Sequence, residues 1–136
     1  MAEARVRRGI IDTSVLIDLE QIAVADLPDE MAISAITLAE LAAGPHATSD
    51  SPERARRQDR LQRAEAAFEP LPVDADVARA YGRIYAAVAA TGRKARGRRV
   101  VDLLIAATAM ANGLPLYTRN PDDFNGLSDL LEIISI

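Results

Sequence analysis

Residues 8–18 read RGIIDTSVLID, and this stretch restricts the fold more than any other. Ile10 and Ile11 make a short apolar run of β type, and Asp12 follows at once. Thr13 and Ser14 then place hydroxyls where a helix can begin, while Val15, Leu16 and Ile17 carry the apolar surface onward. A buried strand that feeds a helix through a carboxylate sets that acid at the carboxyl edge of a sheet. In open α/β sheets, ligands bind along that edge. Asp is also a favoured helix N-cap, so Asp12 by itself reads equally well as a cap.

The rest of the chain repeats the alternation. The first helix is expected over residues 15–19, continuing irregularly to 25, with a turn at Leu27-Pro28-Asp29-Glu30. A second strand is expected over residues 31–33, and Ser34 caps a helix over 35–43 that Gly44-Pro45 stops. His46 to Asp50 reads as a polar loop. Ser51-Pro52-Glu53 opens an Arg-rich helix to about residue 68, with a thin apolar face that marks it as peripheral. Leu71 and Val73, framed by Pro70 and Pro72, suit a short edge strand. Asp74 or Asp76 caps a long helix through residue 90, with Val77, Tyr81, Ile84 and Val88 on one face and Gly92 at its end. After the basic connection RKARGRR, residues 100–111 are almost wholly apolar and predict a buried helix. Pro115-Leu116-Tyr117 is the third core strand, Asn120 to Phe124 a turn, and residues 131–134 the last strand. Short strands alternating with helices indicate an α/β fold, a mostly parallel sheet flanked by helices on both sides. With no internal repeat and no linker, residues 1–136 are expected to form a single domain.

Composition narrows the functional classes. There is no cysteine, which excludes disulfides, thiolate metal sites and cysteine nucleophiles. Aromatics are only 4%, so platforms for stacking single-stranded bases are scarce. The net charge of −4 means that any nucleic-acid contact must come from a local patch. The opening MAEARVRRG is charged with no apolar core after it, and no apolar run approaches membrane-spanning length. A cytoplasmic protein with no membrane partner is expected.

Of the 20 acidic residues, most lie in polar surroundings, but Asp12, Glu40 and Asp102 do not. Glu40 sits in ITLAELAAG and Asp102 in VVDLLIAATA, among apolar neighbours. A lone buried carboxylate is expensive. Asp102 could complement a helix dipole from the first turn, and Glu40 could pair with a nearby Arg. Taken together the three point instead to convergence, each near the carboxyl end of a strand or the start of the next helix. Closely packed carboxylates repel unless a cation intervenes, and an all-oxygen set suits Mg²⁺, with Mn²⁺ as a substitute. His46, the only histidine, reads as an exposed loop residue. In TRNPDDF, Thr118 and Asn120 follow the third strand directly and Asp123 comes in the next turn, although Asn and Asp also favour turns for their own sake.

Asp12 in IIDTSVLID, Glu40 in SAITLAEL, Asp102 in DLLIAATA and Asn120 in TRNPDDF resemble, in order, the four motifs of PIN-domain proteins. Length and the LAEL and IAATA contexts are most similar to the VapC-type toxins of bacterial toxin–antitoxin pairs. The resemblance implies a PIN-like three-layer α/β sandwich and a Mg²⁺-dependent endoribonuclease restrained by a cognate VapB-type antitoxin. It further implies a homodimer, with antitoxin lying across the outer helices. At the fourth acidic position Asn120 stands where many members carry Asp, which leaves one charge fewer for a second metal ion.

On this reading Asp12, Glu40, Asp102 and Asn120 form the catalytic set, with Asp12 and Asp102 binding the metal directly and Glu40 as a third ligand or through water. Thr13, Ser14, Thr118 and Asp123 would orient the acids or outer waters. An RNA substrate needs a cationic rim, which Arg93, Lys94, Arg96, Arg98, Arg99 and Arg119 supply. The Arg-rich helix could serve RNA, or equally grip a partner. A dehalogenase-like phosphatase would want a second Asp where Ser14 stands. A receiver domain would want an acid cluster near the N-terminus and a later Lys. A non-catalytic RNA-binding protein and a deoxyribonuclease are the other readings.

Overall fold

The computed structural model describes residues 5–136, so the start of the charged N-terminal stretch lies outside the described residues. In chain order the elements are β1 (Arg8–Ile11), α1 (Thr13–Ile17), β2 (Glu30–Ala32), α2 (Ala35–Ala43), α3 (Ser51–Ala67), α4 (Ala75–Ala90), α5 (Arg98–Ala111), β3 (Leu116–Thr118) and β4 (Ile133–Ser135). The strands form one all-parallel sheet in the order β2-β1-β3-β4.

Adjacent residues of β1 feed opposite sides of this sheet, because side chains alternate along a strand. Ile10 packs with Val77, Ile84, Val88, Leu103 and Leu116 under α4 and α5. Ile11 packs with Val15, Leu41, Ala64 and Tyr117 under the layer of α1, α2 and α3. The result is helix, sheet and helix in three layers. Gly9 is required where it stands, since any Cβ there would collide with the ring of Tyr117. Ser34, wholly buried, caps α2 through Ile36 N–H at 3.1 Å and lies 3.0 Å from the Thr108 hydroxyl, tying α2 to α5.

From β1 the chain moves to β2 on one side, and later returns to β3 on the other. The carboxyl ends of β1 and β3 therefore flank the point where strand order reverses, the crevice in which open sheets bind ligands.

Several boundaries differ from the sequence expectation. The first helix begins at Thr13, because the Asp12 side chain caps it, and it gives way to two 3₁₀ turns, Leu19–Gln21 and Val24–Asp26. Gly44 does not stop α2 in the left-handed region. It stays right-handed at φ −52°, and a 3₁₀ turn runs over Gly44–Ala47 with His46 inside it. The cap of α3 is Asp50, one residue before Ser51, with its carboxylate accepting from Glu53 N–H. Asp74, not Asp76, caps α4. The expected edge strand at Leu71 and Val73 is a single bridge from Leu71 to Ser34, and Val73 is exposed. Arg98 and Arg99 belong to the first turn of α5, which begins two residues earlier than its apolar run because Gly97 takes φ +64° and ends the connection there.

Candidate active site

Asp12 leaves β1 in extended conformation and acts as the N-cap of α1. The cap role thus falls to one oxygen, Oδ1. Oδ1 accepts from the Ser14 hydroxyl at 2.6 Å and from Val15 N–H at 3.1 Å. The Asp12 backbone N–H donates to Tyr117 O at 3.1 Å, fixing the residue against β3. The side chain is buried, and Oδ2 makes no hydrogen bond among the described residues.

Glu40 lies in the second turn of α2 and not at its start. Its position is set from α1: the Thr13 hydroxyl donates to Oε1 at 2.6 Å and also stands 3.1 Å from Thr37 Oγ1, one turn before Glu40. Oε2 makes no hydrogen bond among the described residues.

Asp102 sits beyond the first turn of α5, too far along for a dipole-complementing role at the terminus. That helix follows α4 rather than a strand, so neither Glu40 nor Asp102 sits where a plain strand–helix alternation would put it. The Asp102 carboxyl is pushed up to about 6, first by burial and then by the negative charges of Asp123, Glu40 and Asp12, with Arg98 acting in the opposite direction. Three acids from three other parts of the chain thus lie near enough to Asp102 for their charge to act on it.

The strongest of those charge effects comes from Asp123, a residue the sequence suggested only as an orienting neighbour. It rides on the 3₁₀ turn Pro121–Phe124, which Phe124 anchors in the core. Asn120 precedes this turn and is exposed; its N–H donates to Thr118 Oγ1 at 2.9 Å. Arg119 N–H donates to Ser14 Oγ at 3.2 Å, and its guanidinium is 3.1 Å from Asp18. Asp18 stands at the C-terminal end of α1, with its side chain partly exposed. Its spacing from Asp12 carried no signal, because the helix between them is only five residues long.

Arg93 Nη1 donates to Asp122 O at 3.1 Å, which draws the RKARGRR connection alongside this turn. The cations of α3 are by contrast consumed internally. Glu53 holds Arg56 and Arg57, and its carboxyl is lowered by their hydrogen bonds, while Arg63 pairs with Glu20 and Asp59.

The donor set is one a hard divalent ion would take: carboxylate oxygens, two of them uncommitted on Asp12 and Glu40, with repulsion for a cation to relieve. Among the described residues, no three acidic or histidine side chains are already gathered into a ligand cage.

Comparison with known proteins agrees with this architecture. The PIN domain family profile matches residues 10–129, and the chain belongs to the PIN-domain family. Within it the similarity is to VapC proteins. The chain is 40% identical over 133 residues to Ribonuclease VapC5 of Mycobacterium tuberculosis, covering 94% of this chain and 95% of that one. It is 41% identical over 110 residues to Ribonuclease VapC8 of the same species, covering 80% and 96%. The crystal structure of VapBC-5, a member of the VapBC family of toxin–antitoxin systems from Mycobacterium tuberculosis, matches with a TM-score of 0.79 at 39% identity. That match covers 95% of this chain and 98% of that one. Among the described residues no helix is long and apolar enough to cross a membrane.

Proposed function

We propose that this protein is a divalent-metal-dependent endoribonuclease, the toxin of a VapBC-type pair, acting in the cytoplasm on RNA and restrained by a VapB-type antitoxin. The observation that carries the catalytic reading is that Asp12, Glu40 and Asp123, from three other parts of the chain, stand near enough to Asp102 for their charges to raise its carboxyl above the ordinary value. Kinship with VapC5 and VapC8 supports the substrate class and the partner.

Asp12 and Asp102 would hold the ion, Mg²⁺ by the hardness of the donors or Mn²⁺ in its place, with Glu40 as the third group. A bound ion supplies water activation and polarisation of a phosphate oxygen. Ser14 and Val15 N–H orient Asp12 so that Oδ2 faces outward from the cap, and Thr13 does the same for Glu40. Thr118 shapes the backbone at Asn120. Asn120 offers a carbonyl oxygen to a water or a substrate hydroxyl, and Asp123 adds the negative charge that Asn120 lacks. Arg93, Lys94, Arg96, Arg98 and Arg99 neutralise phosphates leading to the cleft. Arg119 serves as a further phosphate contact if it is released from Asp18.

The antitoxin is assigned to a groove of about 420 Å³ between the first 3₁₀ turn and α3, with Leu16, Leu19, Ala64 and Phe68 in its floor and Arg56 and Arg63 on its rim. A homodimer accompanies this reading. The test is incubation of purified protein with total RNA in Mg²⁺ and in excess EDTA, beside an Asp12→Asn variant. Cleavage confined to the wild type with Mg²⁺ is expected, and EDTA-resistant cleavage contradicts the proposal.

A further inference from the structure

We infer that Tyr85, with Arg93, Lys94 and Arg96, forms a nucleotide subsite of its own, in which one unpaired base of an RNA stacks on the tyrosine ring while the cations hold the adjoining phosphates. This rests on the ribonuclease reading for the identity of the polymer, but its evidence is separate from the acids.

Three observations meet there. First, a cavity of about 530 Å³ lies between the end of α4 and the following connection, lined by Tyr85, Ala89, Gly92, Arg93, Lys94, Ala95 and Arg96. Its size falls within the ~300–1,000 Å³ typical of small-ligand sites. No acid lines it. The floor is one aromatic ring, methyl groups and a bare glycine, and the rim is cationic. A ring beside several cations matches a nucleotide, which joins a flat π-face to an anion.

Second, the aromatics are few, and only one of them is exposed. Tyr117 and Phe124 are buried in the core and Phe68 and Tyr81 are partly buried, whereas Tyr85 is 50% exposed. Its ring is also held in place. Tyr81, one turn earlier and packed against the core, lies 6.3 Å from it between centroids at an interplanar angle of 51°. Tilted pairs at this separation are favourable, so the ring is positioned before any base arrives.

Third, the cations are spared. Arg7, Arg8, Arg56, Arg57, Arg63, Arg79 and Arg119 all stand in ion pairs. Arg93, Lys94 and Arg96 stand in none among the described residues, a state they share with Arg98 and Arg99 just after them and with four arginines elsewhere, and they fall within four positions of one another. The subsite also adjoins the acidic cleft. Arg93 reaches Asp122 O beside Asp123, and Thr91 packs so closely on Gly126 that a Cβ there would meet its methyl at 2.8 Å.

The experiment measures binding of a fluorescein-labelled 12-mer of oligouridylate, and of an abasic ribose-phosphate 12-mer, to the full-length Asp12→Asn protein. Tyr85→Ala in that background should weaken oligouridylate binding about tenfold, with Tyr85→Phe near the parent, since stacking needs the ring and not the hydroxyl. The abasic strand should bind both alike. Arg96→Ala should lower the salt slope by about one while Tyr85→Ala leaves it unchanged. Equal oligouridylate affinity with and without Tyr85 overturns the subsite. So does dissociation of an oligomer by Tyr85→Ala in sedimentation, which would make this face a contact between copies of the chain. A Tyr85-dependent loss of binding, together with no RNA cleavage in Mg²⁺ by the protein with Asp12 intact, would leave the subsite standing and remove only the ribonuclease reading.

Discussion

The hydroxyl of Thr13 donates to Glu40 Oε1 at 2.6 Å, joining the first turn of α1 to the second turn of α2 across 27 residues of chain. α1 follows β1 and α2 follows β2, and this bond ties the glutamate in the second turn of α2 to the residue after Asp12. It also leaves the second oxygen of Glu40 available.

Thr13→Val keeps the shape and removes the donor. Because Glu40 has negative neighbours, it should swing away once released, and RNA cleavage should fall by about one to two orders of magnitude, in line with the loss of a positioning hydrogen bond. The melting temperature should change little, as Thr13 is buried and suits a valine while Glu40 is only half-buried and can reach water once released. Cleavage rates beside a thermal melt check this, and an unchanged rate refutes the positioning role.

Ser14→Ala and Asp12→Asn separate the two uses of Asp12. The asparagine retains a cap oxygen for Val15 N–H, so α1 should persist while cleavage is lost. The alanine leaves the carboxylate in place without its 2.6 Å partner and should reduce cleavage only partly. Circular dichroism of both variants beside their cleavage rates is the measurement.

Asp102 should make the metal-free protein less stable as pH rises. Its carboxyl stands at about 6 in the fold against an ordinary value of 3.8, so the folded state holds a proton that the unfolded chain has released. The stability from that proton is complete below the ordinary value and is lost as pH passes through about 6. Asp102→Asn should remove this dependence and melt above the wild type at pH 7.5, while cleaving no RNA. Melting curves from pH 4 to 8 in EDTA are decisive, and parallel curves for the two proteins would contradict the assignment.

Addition of Mg²⁺ at pH 7.5 should reverse that penalty. A cation bound only by the folded state at free concentration c stabilises it by RT ln(1 + c/Kd), so the melting temperature climbs with the logarithm of concentration once that exceeds Kd. The rise should be present in the wild type and small in Asp102→Asn or Asp12→Asn. Equal rises in all three would place the ion elsewhere.

Ile84 tests the scaffold rather than the site. Wholly buried on the inner face of α4, it should cost about 2–5 kcal/mol as Ile84→Ala, measured by urea denaturation.

The order of strands and helices was legible in the chain because its signals are local. Ile10 and Ile11, the cap at Ser34, the punctuation at Gly92 and Gly113, and the apolar run behind Asp102 are each read within a few residues. The errors were local too: Asp50 caps where Ser51 was expected, and α5 starts at Arg98 because Gly97, three residues before the apolar run, takes a positive φ. That Asp12, Glu40 and Asp102 are unusual acids was equally visible, since each interrupts an apolar pattern. What tertiary structure alone decided is which charges confront one another. Asp123 sits in a turn rich in Asn, Pro and Asp that looks ordinary by sequence, yet it presses on Asp102 harder than any other charge. Arg119 and Asp18, 101 residues apart, are joined by an ion pair, and Tyr85 gains its meaning from a loop folded over the end of its helix. Propensity depends on near neighbours, whereas an electrostatic environment sums over whatever the fold brings close, and no short window of sequence contains that sum.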